Sequence, residues 1–209
     1  MLISGLSILI IGDSNLLAPD RLVNSLHNAL TSQGAAVHTF GVCAAKPKDW
    51  ITASPAGRCG GVDRVGKSPA KVLGTTAMTI PVKTLLANEH PNLLMIVLGD
   101  TLTGYEGEFP KVWAWEQVTA LTKDITSTKT PCVWVGPAWG GLDERKKFHK
   151  TKARVEELSR FLSKNVAPCT FIDSTKMSNP GEWETTVDGL HLTAQGYKLW
   201  GEAIANSLK

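Results

Sequence analysis

No stretch of the 209 residues is apolar for long enough to cross a bilayer. The run Ile3 to Ile11 falls well short of the roughly 20 residues that a spanning helix needs, and it lacks the basic start and small-residue cleavage site of a secretory signal. It reads as a first strand, and no membrane span is expected. Charge of one sign is missing too: 22 Lys and Arg against 19 Asp and Glu leave a net +3. No segment interleaves aromatics with a strong basic patch, so no nucleic-acid partner is expected. The densest basic segment, Arg145-Lys146-Lys147 with Lys150, Lys152 and Arg154, has Glu144, Glu156 and Glu157 beside it and reads as a solvated helix face. Zinc-type cysteine spacing is absent, and His27, His38, His90 and His149 have no acid or cysteine partner at ligand spacing, so neither a metal nor a cofactor is expected. Internal repeats and low-complexity tracts are absent as well.

What remains is an ordinary globular composition, 43% hydrophobic and 20% charged, sufficient for one core and one domain over residues 1–209. Apolar runs at Leu6–Ile11, Ala36–Phe40, Leu93–Leu98, Cys132–Val135 and Cys169–Ile172 predict five buried strands. Helical spacing of apolar residues predicts helices over Arg21–Ser32, Pro81–Glu89, Lys111–Thr126, Arg145–Lys164 and Thr193–Leu208. Strand and helix in strict turn imply an α/β fold, a three-layer α/β/α sandwich around a five-stranded parallel sheet. The exception is a long loop insertion at 42–80, where Pro, Gly, Ser and Lys break every period.

Four cysteines suggest two bridges. Cys43 and Cys59 bracket the start of the insertion, where closure of the loop would contribute about 3 kcal/mol on the chain-entropy model. Cys132 and Cys169 open two predicted strands, and if those strands are neighbours their entry points lie side by side. Bridges suit a periplasmic or secreted setting; four reduced thiols would suit the cytoplasm.

Ligands of open parallel sheets bind beyond the carboxyl ends of the strands. Gly12-Asp13-Ser14-Asn15 follows the first strand, Gly41 the second and Gly99-Asp100-Thr101 the third, while Asp188-Gly189-Leu190-His191 follows the fifth. A hydroxyl, an imidazole and a carboxylate are what acyl transfer through a serine requires, with the imidazole taking the serine proton and the carboxylate holding the ring. The ordinary alternatives are a turn serine and a helix-capping aspartate.

These blocks resemble those of the SGNH hydrolases, the GDSL esterase/lipase family. Ile10-Ile11-Gly12-Asp13-Ser14-Asn15 is similar to the nucleophile block, and Asp188-Gly189-Leu190-His191-Leu192-Thr193 to the closing D-x-x-H block. The resemblance implies Ser14 as nucleophile, His191 as base and Asp188 as the orienting acid. It implies an oxyanion hole formed by Ser14, Gly41 and the residue in the place of the family's asparagine. That residue here is Thr101, a departure that removes an amide donor, and Asn15 is a candidate replacement for it.

Seven tryptophans against two tyrosines is a skewed aromatic set. Trp113, Trp115, Trp134 and Trp200 are expected in the core. Trp50, Trp139 and Trp183 fall in loops at the presumed rim, where they are candidates, with Asn15, for substrate contact. The resulting expectation is a serine esterase that takes a small acyl group, acetyl above all, from a carbohydrate or similar polyol through an acyl-serine intermediate. An O-acetyltransferase with the same triad and a weakly catalytic polysaccharide-binding domain are the rivals. A flavodoxin-like phosphate binder is disfavoured, because no Gly-rich phosphate loop follows the first strand.

Overall fold

The computed structural model describes residues 3–105, 107–142 and 150–208. Its strands are β1 (Ser7–Gly12), β2 (Ala36–Val42), β3 (Gly61–Val65), β4 (Lys71–Val72), β5 (Leu93–Val97), β6 (Cys132–Val135) and β7 (Thr170–Ile172). Its helices are α1 (Leu22–Ser32), α2 (Val82–Glu89), α3 (Lys111–Thr126), α4 (Lys152–Asn165) and α5 (Ala194–Ser207). The strands form one sheet in the order β4-β3-β2-β1-β5-β6-β7.

Five of these strands, β2-β1-β5-β6-β7, are parallel, as expected from their continuous apolar runs. Side chains that alternate along β1 feed opposite layers. Ile8 and Ile10 join Leu26, Leu30, Trp200 and Ile204 of α1 and α5, whereas Leu9 and Ile11 join Leu85, Val118 and Leu162 of α2, α3 and α4. This is the three-layer sandwich.

The sheet has seven strands rather than five. Inside the 42–80 insertion, β3 pairs antiparallel with β2 and β4 pairs with β3, extending the sheet past its first parallel edge. These strands are short, and β4 is exposed on both residues, so no run of buried apolar side chains marks them. Both cysteine pairs are bridged, Cys43–Cys59 at a Cα separation of 5.4 Å and Cys132–Cys169 at 4.6 Å. The second pair sits at the start of adjacent parallel strands, which is why its Cα atoms are so close.

Arg145, Lys146, Lys147 and His149, with the start of the helix expected over Arg145–Lys164, lie outside the described residues. Within them α4 begins at Lys152, capped by Thr151, whose hydroxyl accepts from the Arg154 N–H. Trp134 and Trp200 are core residues as expected, but Trp115 is half exposed on the outer face of α3.

Candidate active site

The carboxyl ends of β1 and β5 approach so closely that only glycine fits between them. A Cβ on Gly12 would stand 2.5 Å from the Val97 carbonyl oxygen and 2.9 Å from Leu16 Cδ1. The chain then turns at once into a short 3-10 turn, Ser14–Leu16. Asp13 caps that turn by accepting from the Asn15 N–H, and the Arg21 guanidinium donates to the Ser14 carbonyl at 2.5 Å. The turn sets Ser14 at the rim with its hydroxyl half-buried.

The other half of the site comes from the segment before α5. Thr186 and His191 close a tight loop through Thr186 N–H to His191 O at 2.8 Å, and Gly189, at φ 69°, makes the reversal a side chain would disfavour. Thr193 caps α5 by accepting from the Gly196 N–H. In this loop Asp188 Oδ1 accepts from Thr186 Oγ1 (2.7 Å) and from the Leu190 and His191 N–H groups (2.9 and 3.0 Å). Asp188 Oδ2 lies 2.7 Å from His191 Nδ1, and His191 Nε2 lies 2.8 Å from Ser14 Oγ.

The carboxylate at Nδ1 takes that nitrogen's proton as its hydrogen bond, so Nε2 is left to accept from the Ser14 hydroxyl. Burial pushes the Asp188 carboxyl up, but the bonds from Thr186, His191 and Leu190 outweigh it and hold the group well below the usual carboxylate range. It stays ionised, as support for an imidazolium demands. The arrangement can generate a serine nucleophile, hold the displaced proton and return it.

Several residues picked out as site candidates are committed elsewhere. Gly41 pairs with Val62 in the β2–β3 ladder. The Cys43 N–H to Gly60 O and Gly66 N–H to Val37 O bonds mark hydrogen-bonded pairs at both ends of that ladder. Every second pair is hydrogen-bonded, so Gly41 and Val62 exchange bonds too and the Gly41 N–H is not free for an oxyanion. The pairing with β3 is a long-range fact with no local signal. Thr101 Oγ1 donates to the Ala45 carbonyl at 3.1 Å, so its proton is also engaged. Asn15 is 3% exposed, with its amide and its carbonyl both hydrogen-bonded inside the protein, and it is neither a substrate contact nor a spare donor.

The three rim tryptophans are packing residues. Trp50 is fully buried, edge-on to Phe40 with ring centroids 5.8 Å apart. Trp139 is 7% exposed and donates to the Ser178 carbonyl at 2.7 Å; Trp183 is 6% exposed within the core beneath α1 and α5. Lys150, expected on a solvated face, is buried against Asp100 at 2.6 Å. His38, expected to have no acid partner, lies 2.8 Å from both Asp63 and Glu89, which come from β3 and α2.

Two residues escaped the sequence reading. Tyr197 donates to Asn15 Oδ1 at 2.7 Å. Ala44, exposed just after β2, has a left-handed φ of 58°, and among the described residues its N–H meets no acceptor. A positive φ on a residue with a Cβ is visible only in the fold.

No protein-family model matches the chain. It is 40% identical over 208 residues to protein BcsX of Komagataeibacter xylinus, which covers 99% of this chain and 78% of BcsX. Among solved structures it is similar to a lipase/acylhydrolase from Enterococcus faecalis (TM-score 0.64, 18% identity, 97% and 95% of the two chains). It is also similar to Est24, a carbohydrate acetylesterase from Sinorhizobium meliloti (TM-score 0.65, 16% identity, 97% and 98%), and to the acetyl xylan esterase AlAXEase (TM-score 0.61, 11% identity, 98% and 100%). The structural likenesses carry the fold, that of the SGNH hydrolases, and the identity with BcsX extends over nearly the whole chain: the protein belongs to the family of BcsX.

Proposed function

We propose that the protein is a serine esterase that removes a small acyl group, acetyl in the first instance, from a carbohydrate through an acyl-Ser14 intermediate. One observation carries this reading: the unbroken relay from Asp188 Oδ2 through His191 to Ser14 Oγ, with heavy-atom distances of 2.7 and 2.8 Å. Ser14 Oγ attacks the ester carbonyl carbon while His191 Nε2 takes its proton. The tetrahedral intermediate collapses as the imidazolium returns that proton to the departing alcohol oxygen. Water, deprotonated by the same nitrogen, then attacks the acyl-serine, and the imidazolium returns the proton to Ser14 Oγ as the carboxylic acid leaves. The Ser14 N–H, without an acceptor among the described residues, receives the oxyanion, since Gly41 and Thr101 are engaged elsewhere.

The carbohydrate part of the reading is supported by similar folds described as a carbohydrate acetylesterase and an acetyl xylan esterase. The two disulfides support a periplasmic or secreted location. The test is to incubate the protein with acetylated and deacetylated polysaccharides, the latter with an acetyl donor, and to follow acetate in both directions. Acetate release that is lost in Ser14→Ala is expected. Acetylation of the deacetylated polymer would assign a transferase, and tight binding without turnover a binding domain.

A further inference from the structure

Beneath Ser14 the protein buries more charge than the reaction uses. Asn15 Nδ2 donates to Asp13 Oδ1 at 2.9 Å and to Asp100 Oδ2 at 3.1 Å, and Asn15 Oδ1 accepts from the Tyr197 hydroxyl. The Lys150 ammonium, with a side chain 1% exposed, reaches Asp100 Oδ1. The second oxygen of Asp13 is buried without a partner among the described residues. Two carboxyls thus face one ammonium, while Tyr197 is kept a neutral phenol by its burial. Burial and the neighbouring Asp100 raise the Asp13 carboxyl well above its usual value, against the opposing pull of Asn15 and Lys150.

The topology of this cluster gives it a direction. Its members come from the turn after β1, the turn after β5, the connection from β6 to α4, and α5. Asn15 follows Ser14 directly, and Tyr197 lies in the first turns of the helix that begins just after His191. The Asn15–Tyr197 bond therefore ties the hydroxyl-bearing turn to the imidazole-bearing segment from the inside, while Ser14 and His191 meet at the surface. The Lys150–Asp100 pair holds Asn15's second acceptor in place.

We propose that Asn15, Tyr197 and Lys150 are positioning residues: their buried chain of hydrogen bonds and one ion pair sets the distance between Ser14 Oγ and His191 Nε2. The inference rests on the esterase reading for its kinetic signature, and its geometric signature is independent of that reading. Misplacement of reacting groups by about 1 Å costs on the order of 100-fold in rate.

Three variants test it: Tyr197→Phe, Lys150→Met and the neutral pair Asp100→Asn/Lys150→Met. Hydrolysis of a small acetyl ester by Tyr197→Phe is expected to lose roughly tenfold to 100-fold in kcat with KM unchanged. Its crystal structure is expected to show the Ser14–His191 contact lengthened beyond hydrogen-bond reach. Lys150→Met leaves Asp100 without its cation and the second acceptor of Asn15 unheld, so its kcat should fall with KM unchanged; the neutral pair, which removes the orphaned charge, should recover turnover. A Tyr197→Phe structure with the contact still at the wild-type distance overturns the inference whatever the activity. So does wild-type kcat in that variant, and so does wild-type kcat in Lys150→Met. If Lys150→Met does not fold, Tyr197→Phe alone decides. An inactive parent protein with an intact contact that lengthens in Tyr197→Phe would refute the esterase reading and leave this inference standing.

Discussion

Thr101→Val separates two roles for one hydroxyl. The substitution keeps the branched shape and removes the proton that Thr101 Oγ1 gives to the Ala45 carbonyl. Ala45 is 3% exposed, so its carbonyl is left without that donor and away from water, at a cost of about 1–3 kcal/mol. For a chain of this size each kcal/mol lowers the melting midpoint by about 2–4 °C, which puts the expected fall at roughly 2–12 °C. Turnover of a small activated acetyl ester should change by less than about tenfold, a barrier change under ~1.4 kcal/mol. An oxyanion donor behaves differently, because its removal costs about 100-fold to 1,000-fold in kcat and leaves the fold alone. Calorimetry and steady-state kinetics on the same preparation decide. A loss of 100-fold or more at an unchanged midpoint would refute the assignment of Thr101 to the loop.

Three further outcomes follow from the geometry. His27 is buried, bonded through Nδ1 to Thr39 Oγ1 and through Nε2 to the Gly66 carbonyl, and burial pulls its pKa from 6.5 to about 4. A His with a lowered folded pKa contributes stability that is complete above the unfolded value and lost as pH falls toward 4, up to about 3 kcal/mol. The raised Asp13 carboxyl acts with the opposite sign over much of the same range, so the wild-type slope is flattened. The measurement is therefore a difference: denaturant stability of His27→Gln should approach the wild type's as pH falls from 7 to 4, and parallel curves would contradict the account. The denatured, unreduced protein should show no titratable thiol, and reduction of Cys132–Cys169 should cost about 4 kcal/mol for a separation of 37 residues. Trp139→Phe should lower the melting midpoint through its lost bond to Ser178 and leave KM for a carbohydrate ester unchanged; a raised KM would return Trp139 to the substrate surface.

What was legible in the sequence was local. The central parallel strands announce themselves because they are buried on both faces, as in the fully buried β5, Leu93–Val97. Asp188 and His191 are readable because three residues in one tight loop carry the carboxylate to the ring. The strands β3 and β4 are not, since these short, glycine-flanked segments gain their pairing from β2 and from each other rather than from a pattern of their own. The same pairing withdraws Gly41 from the oxyanion hole, so one missed strand accounts for one misplaced donor. Lys150 looked like the rest of a basic helix face because its partner, Asp100, is fifty residues away in sequence and adjacent only in the fold. The loop tryptophans show how little a loop position says about exposure: all three found core or backbone partners.

The central claim is that Ser14 carries the acyl group. Mixing the protein with an activated acetyl ester, quenching in acid within a single turnover and mapping the digest by mass spectrometry tests it most directly. The expected result is one acetyl group on the peptide containing Ser14, absent in Ser14→Ala and slow to form in His191→Ala. Acetate release that continues in Ser14→Ala, with no acetyl group on that peptide in the parent protein, would contradict it.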